Sequence, residues 1–247
     1  MSPDLACCQR KGPPARPSLW TPAADALLRP RPLRGTIRTC RISPVSNTSI
    51  DTNPELRGGP YMPESIPASL ILDTLKDTFR DARAALASEG WRPSPHSHLG
   101  WILSVPDTHQ KTVLSALDKE QALRVVTCAT EDEAVAIAAG LYMGGEPVVL
   151  LIQHAGLYAS VNTLRGVAID GRVPVFYIIG LLGRERDRDP RDSAQSMVRY
   201  CEPLLDTFRV PHARIEGPND VHLIPEYFRL SRERRGPAAV LVGMETS

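Results

Sequence analysis

The chain has 247 residues, 42% of them hydrophobic and 23% charged, which is typical of a globular protein with a sizeable core. It contains no run of about 18 apolar residues, which argues against a membrane-spanning helix. Residues 1–61 hold nine basic and four acidic residues, whereas residues 62–247 hold 20 basic and 24 acidic ones. The larger part is therefore mildly acidic, which argues against a nucleic-acid partner.

Residues 1–61 contain 10 of the 23 prolines and no sustained apolar periodicity. Such a segment buries too little apolar surface to offset its ordering entropy, so it is predicted to be a disordered or spurious extension, with Met62 as an alternative start. It lacks the apolar stretch of a secretory signal, and its composition indicates a transit peptide only weakly. The five cysteines form no CxxC pair, which favours a reducing compartment, the cytoplasm.

From residue 62 onward, helical and strand patterns alternate in chain order. The sequence predicts a helix over 66–90 ending at Gly90, a strand over 99–107, a helix over 109–120, a strand over 122–129, a helix over 131–145 and a strand over 146–153. A helix over 156–170, a strand over 173–182, a polar arm, a helix over 193–208, a strand over 212–216, a helix over 220–236 and a strand over 237–243 follow. This alternation predicts one domain over 62–247, a three-layer α/β/α sandwich around a mostly parallel sheet of about six strands.

Ligands of such sheets bind beyond the carboxyl ends of the strands, which directs attention to the loops 105–108, 129–133 and 153–156. In the stretch ATEDEAVAIAAG, Thr130 and Glu133 have the spacing of a capping box, and Asp132 suits the first turn of a helix. Glu131 is not needed for the cap. Spacing alone leaves it open whether Glu131 is structural or functional.

The ordered motifs from 100 to 216 resemble the pyrimidine-binding domain of thiamine-diphosphate enzymes. The resemblance is strongest to the alpha subunits of sulfopyruvate decarboxylase and to phosphonopyruvate decarboxylases. The matching stretches are SVPDT, EDEAVAIAAGLYMGGEPVVLLIQHAGL, SVNTLRG, VPVFYIIG and EPLLDTFRVPHARIE. The resemblance implies that Glu131, nine positions before Gly140, exchanges a proton with N1′ of the cofactor's aminopyrimidine, as general acid–base catalysis requires. It also implies that Gln153 and Gly156 belong to the cofactor-binding turn.

The resemblance places the substrate beside two loops. Asp107 and Thr108 match a turn of the family that lines the substrate pocket, although Pro-Asp-Thr is also an ordinary turn and helix cap. The turn QHAGLY departs from the family's Q-N-S-G-L-G-N, and here His154 is expected to orient the substrate carboxylate, to relay a proton, or only to bond the backbone. The arm 183–192 carries four arginines, one of which would suit an anionic substrate, or it forms a solvated, self-paired loop.

The GDG motif and the later asparagine that hold Mg²⁺ and the diphosphate in this family are missing, and IDG at 169–171 lacks the partner asparagine. His96 and His98 have no further ligands nearby, so no metal site is predicted. The resemblance therefore implies a hetero-oligomer in which a beta-type subunit carries the diphosphate half. The expected function is a thiamine-diphosphate-dependent decarboxylase of an anionic 2-oxo acid such as 3-sulfopyruvate or 3-phosphonopyruvate. An acetolactate-synthase-like carboligase and a non-catalytic regulatory subunit remain alternatives.

Overall fold

The computed structural model describes residues 63–91 and 98–247, so the prediction for residues 1–61 lies outside the described part, as does His96. The strands are β1 (Gly100–Ser104), β2 (Leu123–Thr127), β3 (Val148–Gln153), β4 (Phe176–Gly180), β5 (His212–Ile215) and β6 (Ala238–Val242). The helices are α1 (Ala68–Ser88), α2 (Lys111–Leu117), α3 (Glu131–Met143), α4 (His154–Ala159), α5 (Val161–Thr163), α6 (Ser196–Arg199), α7 (Cys201–Thr207) and α8 (Leu223–Arg234). A π-helical segment (Leu164–Asp170) and two short 3₁₀ turns (Pro190–Asp192 and Pro218–Asp220) complete the described part.

The six strands form one sheet in the order β2-β1-β3-β4-β6-β5, and every neighbouring pair is parallel. The prediction of a mostly parallel sheet of about six strands is confirmed. The chain moves from β1 to β2 on one side and then returns to place β3 on the other side of β1. A crevice between the carboxyl ends of β1 and β3 therefore lies at the point where the strand order reverses, which is where open α/β sheets bind ligands.

Helices cover both faces of the sheet. Successive side chains of a strand point to opposite faces, so a strand that is apolar throughout needs a covering layer on each side. Leu151 and Ile178 pack on one face with residues of α1, α2 and α8, including Phe79 and Phe228. On the other face Leu150 packs with residues of α3, α4, α7 and the π-helical segment. Both clusters are fully buried at their centres, so the three-layer α/β/α sandwich is confirmed.

Two of the predicted helices are interrupted. The helix expected over 156–170 begins earlier, at His154, and breaks near Ser160, whose hydroxyl donates to the carbonyl of Gly156 at 2.7 Å. The helix expected over 193–208 divides at Tyr200 into α6 and α7. Pro203 explains this division, because it has no N–H for the carbonyl four residues earlier and its ring would clash with that turn. None of the helices in the two described ranges is long and apolar enough to cross a membrane.

Candidate active site

The start of α3 gives each of its three acids a different environment. Glu133 forms the cap: its amide donates to Oγ1 of Thr130 at 3.2 Å, and its carboxylate accepts from the amide of Ala129 at 2.7 Å. A capping box would place this second bond at the amide of Thr130, whereas here the Glu133 carboxylate bonds the amide one residue earlier, that of Ala129. Asp132 accepts from the hydroxyl of Thr163 at 2.7 Å and ties α3 to α5. The helix start is therefore held without Glu131.

Glu131 is half-buried, and among the described residues its carboxylate has neither a hydrogen-bond donor nor an ion-pair partner. Its side chain lies directly against Gly156 of α4. A methyl group built on Gly156 would come within 2.5 Å of Cδ of Glu131, so only glycine permits this approach. The structure therefore brings together two of the residues predicted to hold the cofactor and leaves the carboxylate available to a ligand.

Asp107 organises the crevice between β1 and β3. Its buried carboxylate accepts three hydrogen bonds: from the amide of His109 at 2.9 Å, from Nε2 of Gln153 at 2.9 Å and from Nε2 of Gln110 at 3.3 Å. The bond to Gln153 joins the carboxyl ends of β1 and β3. Asp107 and His109 also pack on Gly180 at the end of β4, where a methyl group would come 2.8 Å from each side chain.

Two buried histidines lie beside this carboxylate. Nε2 of His109 is 3.0 Å from the carbonyl of Val242, and Nε2 of His154 is 2.9 Å from the carbonyl of Leu182. Because a carbonyl only accepts, Nε2 carries the proton in both rings and Nδ1 is the acceptor in the neutral form. Neither Nδ1 atom has a partner among the described residues. Burial lowers the pKa of both imidazoles, against a smaller raising effect of nearby Asp107, so both are neutral near pH 7.

A cavity of about 380 Å³ continues from His109 between the ends of β4 and β6. Its wall includes Arg184 and Arg186 from the predicted arginine-rich arm, together with Ser65 and Thr246. Arg184 is 6% exposed and forms an ion pair with buried Glu216, and its Nε has no partner within the described residues. Burial raises the pKa of Glu216, and Arg184 partly offsets this rise.

Most charged side chains of the arm 183–192 form ion pairs, some within the arm and others with neighbouring elements. Arg188 lies 3.6 Å from Glu185 within the arm, whereas Arg191 lies 2.9 Å from Asp206 of α7. The arm's Asp189 accepts from Arg214 of β5 at 2.7 Å. Arg186 is exposed, and it is the one arginine of the arm without an ion-pair partner in the described ranges.

The predicted residues Asp107, Gln153, His154, Glu131 and Gly156 all lie at one edge of the sheet. Thr108 is also there but is exposed, and no hydrogen bond of its side chain occurs within the described part. The catalytic and binding roles of these residues remain predictions. Sequence reasoning missed three neighbours, His109, Gln110 and Gly180, and considered Arg184 only as one of the arginines of the arm. The available signal for His109 and Gln110 was their place at the start of the helix predicted over 109–120.

The string IDG at 169–171 has a structural role. Asp170 ends the π-helical segment and accepts from Arg165 at 2.8 Å, and Gly171 caps that segment. The described residues contain no group of three or more histidine, cysteine or acidic side chains placed to hold a metal ion.

Comparison with known proteins identifies the family. No protein-family model matches the chain. The sulfopyruvate decarboxylase alpha subunit of Methanothermobacter thermautotrophicus is 32% identical over 120 residues, which cover 49% of this chain and 72% of that protein. The alpha subunit from Methanococcus maripaludis is 29% identical over 148 residues, which cover 59% of this chain and 87% of that protein. The phosphonopyruvate decarboxylase of Streptomyces viridochromogenes is 29% identical over 105 residues, covering 42% of this chain but 26% of that enzyme. The chain belongs to the sulfopyruvate decarboxylase alpha-subunit family.

Proposed function

We propose that this chain is the pyrimidine-binding, alpha-type subunit of a thiamine-diphosphate-dependent decarboxylase that acts on an anionic 2-oxo acid. The observation that carries the proposal is the Glu131 carboxylate, half-buried against Gly156 and without a partner among the described residues. The relatives named as sulfopyruvate and phosphonopyruvate decarboxylases support the reaction and the substrate class.

The residues of the site fit the aminopyrimidine of this cofactor. Glu131 offers a carboxyl group that can share a proton with a ring nitrogen, which is the general acid–base role such a cofactor needs. Gly156 leaves the space in which that carboxyl lies. Gln153, three residues earlier at the end of β3, supplies a polar side chain. The bound cofactor would supply carbanion stabilisation at the carbon that loses CO₂.

We propose that the substrate lies at the Asp107 crevice, next to the two neutral imidazoles. Asp107 and Gln153 fix the geometry of the strand ends through their 2.9 Å hydrogen bond. Nδ1 of His154 is an unpartnered acceptor with its Nε2–H held by a main-chain carbonyl, so the ring can accept a proton without rotating. These features support His154 as the proton relay near the substrate, with Thr108 at the exposed rim.

The anionic substituent of the substrate has a candidate partner in the adjacent cavity. Arg186 reaches this cavity with its charge uncompensated, whereas Arg184 is neutralised by Glu216. The acid Glu245 also lines the cavity, but Arg186 is the arginine of its wall without an ion-pair partner in the described ranges. Removal of the Arg186 side chain should therefore weaken binding of the anionic substrate. A sulfonate or phosphonate would be bound by charge-assisted hydrogen bonds.

We further propose that a beta-type subunit supplies the diphosphate half of the site, with its Mg²⁺, and that the two subunits work as a hetero-oligomer. The alpha-subunit names of the relatives support a partner. The outer face of α3 fits an interface, since it carries small exposed residues such as Ala136 and Gly140 and ends at Met143, which is 73% exposed. The described cysteines, Cys128 and Cys201, are free and buried, which supports a cytoplasmic setting.

The test is Glu131→Gln, with Glu133→Gln as the matched control two positions away from the proposed proton donor. Both variants would be co-expressed with a candidate beta subunit and assayed for CO₂ release from 3-sulfopyruvate and 3-phosphonopyruvate. Binding of the cofactor would be followed separately by the change in intrinsic fluorescence. We expect Glu131→Gln to lose decarboxylation by about 10²–10⁴-fold, the usual contribution of a general acid–base group. Undiminished turnover of Glu131→Gln would overturn the proposal.

The same preparations separate the alternatives. An acyloin product in place of an aldehyde would identify a carboligase, which the altered turn around His154 leaves open. Failure of every candidate beta subunit to co-purify, together with no cofactor binding, would identify a non-catalytic regulatory subunit. An unpartnered carboxylate at Glu131 favours the decarboxylase over this last alternative.

A further inference from the structure

The tripeptide Arg-x-Pro occurs within one residue of the start of three strands. It begins at Arg172 before β4, at Arg209 before β5 and at Arg235 before β6. These strands are neighbours in the order β4-β6-β5, and adjacent strands lie roughly 4.8 Å apart. The three arginines therefore stand side by side at the amino-terminal edge of the sheet, opposite the edge that carries Glu131.

Each of these arginines has a left-handed backbone conformation, with φ of 54° at Arg172, 54° at Arg209 and 50° at Arg235. Each ends a helical segment in a Schellman motif: the amide of the next residue bonds the carbonyl five positions earlier, at 3.1, 2.9 and 3.1 Å respectively. Glycine is the usual residue at this position, because a Cβ is unfavourable there.

The chain uses glycine where the same motif occurs elsewhere. Gly90 after α1 and Gly145 after α3 have φ of 87° and 76° and are followed by the same hydrogen bond, from Trp91 and Glu146. Arginine thus replaces glycine at three such helix ends, and these three border one cleft. The conformational cost of arginine there calls for a function of the side chain.

The cleft has a volume of about 480 Å³ and is lined by four arginines, Arg172, Arg209, Arg234 and Arg235. All four are exposed, and within the described residues none forms a side-chain hydrogen bond or an ion pair. The one acid of the lining, Glu233, lies 3.5 Å from Arg229.

Favourable interaction with the helix dipoles is the simplest alternative role for these arginines. It explains a basic residue in the last turn of a helix. It does not explain why the arginine occupies the left-handed position itself, nor why no guanidinium bonds a terminal carbonyl within the described part of the chain.

We propose that this cleft binds a small multivalent oxyanion of the phosphate class, at a site separate from the proposed catalytic edge. Four arginines line one concave surface, and the planar guanidinium group matches the oxygens of phosphate in charge and shape. A ligand with several negative charges is required because three or four positive charges face the same volume. The proposal does not depend on the proposed decarboxylase function.

The experiment is a calorimetric titration of the full chain with inorganic pyrophosphate at low salt, and melting temperatures are measured on the same proteins without pyrophosphate. The variants are Arg172→Gly, Arg209→Gly and Arg235→Gly, singly and combined. Arg80→Ala removes an equal charge from the distant helix α1. Gly90→Arg places an arginine at an equivalent helix end away from the cleft, where a Cβ meets no described atom within 4 Å.

We expect saturable binding that weakens by about tenfold for each arginine lost, the effect of one charge-assisted hydrogen bond. The Arg→Gly variants should melt at the same temperature as the wild type or higher, because glycine relieves the left-handed conformation. Gly90→Arg should lower the melting temperature and leave pyrophosphate binding unchanged. A chain that does not bind pyrophosphate would refute the proposal, as would equal weakening by Arg80→Ala or a lower melting temperature in all three Arg→Gly variants.

Discussion

The contact between Gly156 and Glu131 permits a test of the site in which the catalytic group itself is left intact. In Gly156→Ala the new methyl carbon would lie 2.5 Å from Cδ of Glu131, whereas non-bonded carbons prefer a separation of about 3.5 Å or more. The carboxylate must therefore move by about 1 Å. A misplacement of this size in an active site can cost on the order of 10²-fold in rate.

The fold should tolerate this substitution. The atoms in conflict belong to the end of a flexible side chain, and alanine has a higher helix propensity than glycine within α4. We expect the free energy of unfolding to change by less than about 1 kcal/mol, while CO₂ release by the reconstituted complex falls about 100-fold. Gly166→Ala is the matched control, because it is also a helical glycine and its Cβ would meet no described atom within 4 Å.

A double variant sharpens the test. If Gly156→Ala acts only by displacing the Glu131 carboxyl, adding it to Glu131→Gln should produce little further loss, because both changes remove the same function. Turnover by Gly156→Ala equal to that of Gly166→Ala would refute the reasoning that this contact positions a catalytic carboxyl. Losses that multiply in the double variant would show that Gly156 acts on something other than Glu131.

Three further predictions follow from the same edge of the sheet. Asp107→Asn replaces an acceptor of three hydrogen bonds by an amide and should raise KM for the 2-oxo acid and lower stability by about 1–3 kcal/mol, measured by steady-state kinetics and urea unfolding. Arg184→Ala leaves buried Glu216 unpaired and should cost about 3–5 kcal/mol in urea unfolding, whereas Arg184→Met combined with Glu216→Leu should recover most of that loss. Burial lowers the pKa of His109 and His154 below 6.5, so the unfolded chain binds more protons than the folded chain as the pH falls. The contribution of these two histidines to the free energy of unfolding should therefore be fully present above about pH 6.5 and decline below it. In unfolding experiments between pH 5 and 8, His154→Gln should make this decline less steep. An unchanged slope would contradict this account.

The fold could be predicted well from the sequence because most strands are apolar runs and most connecting segments have a helical period. Both signals are local, and both survive in the structure. The misplaced boundaries have local causes as well: Pro203 interrupts the helix expected over 193–208, and Ser160 interrupts the one that starts at His154. Neither effect changes the apolar periodicity, so hydrophobic patterning alone does not detect them.

The candidate site was predictable only in part, because its contacts join residues that are distant in the sequence. Asp107 and Gln153 are 46 positions apart, and nothing local to either residue indicates their hydrogen bond. The burial of Arg184 was also hidden, since its acidic neighbours in the arm suggested a solvated loop while its partner, Glu216, lies beyond β5. Contacts across a parallel sheet depend on strand order, which periodicity does not determine.

The first turn of α3 shows how a structural element and a proposed catalytic group can share one stretch of sequence without conflict. Glu133 satisfies the helix start by accepting from Ala129, and Asp132 is engaged by Thr163 of the neighbouring helix. With Asp132 and Glu133 engaged in these bonds, Glu131 is the acid of the first turn that lies against Gly156 and has no partner among the described residues, so its carboxylate is available to a ligand.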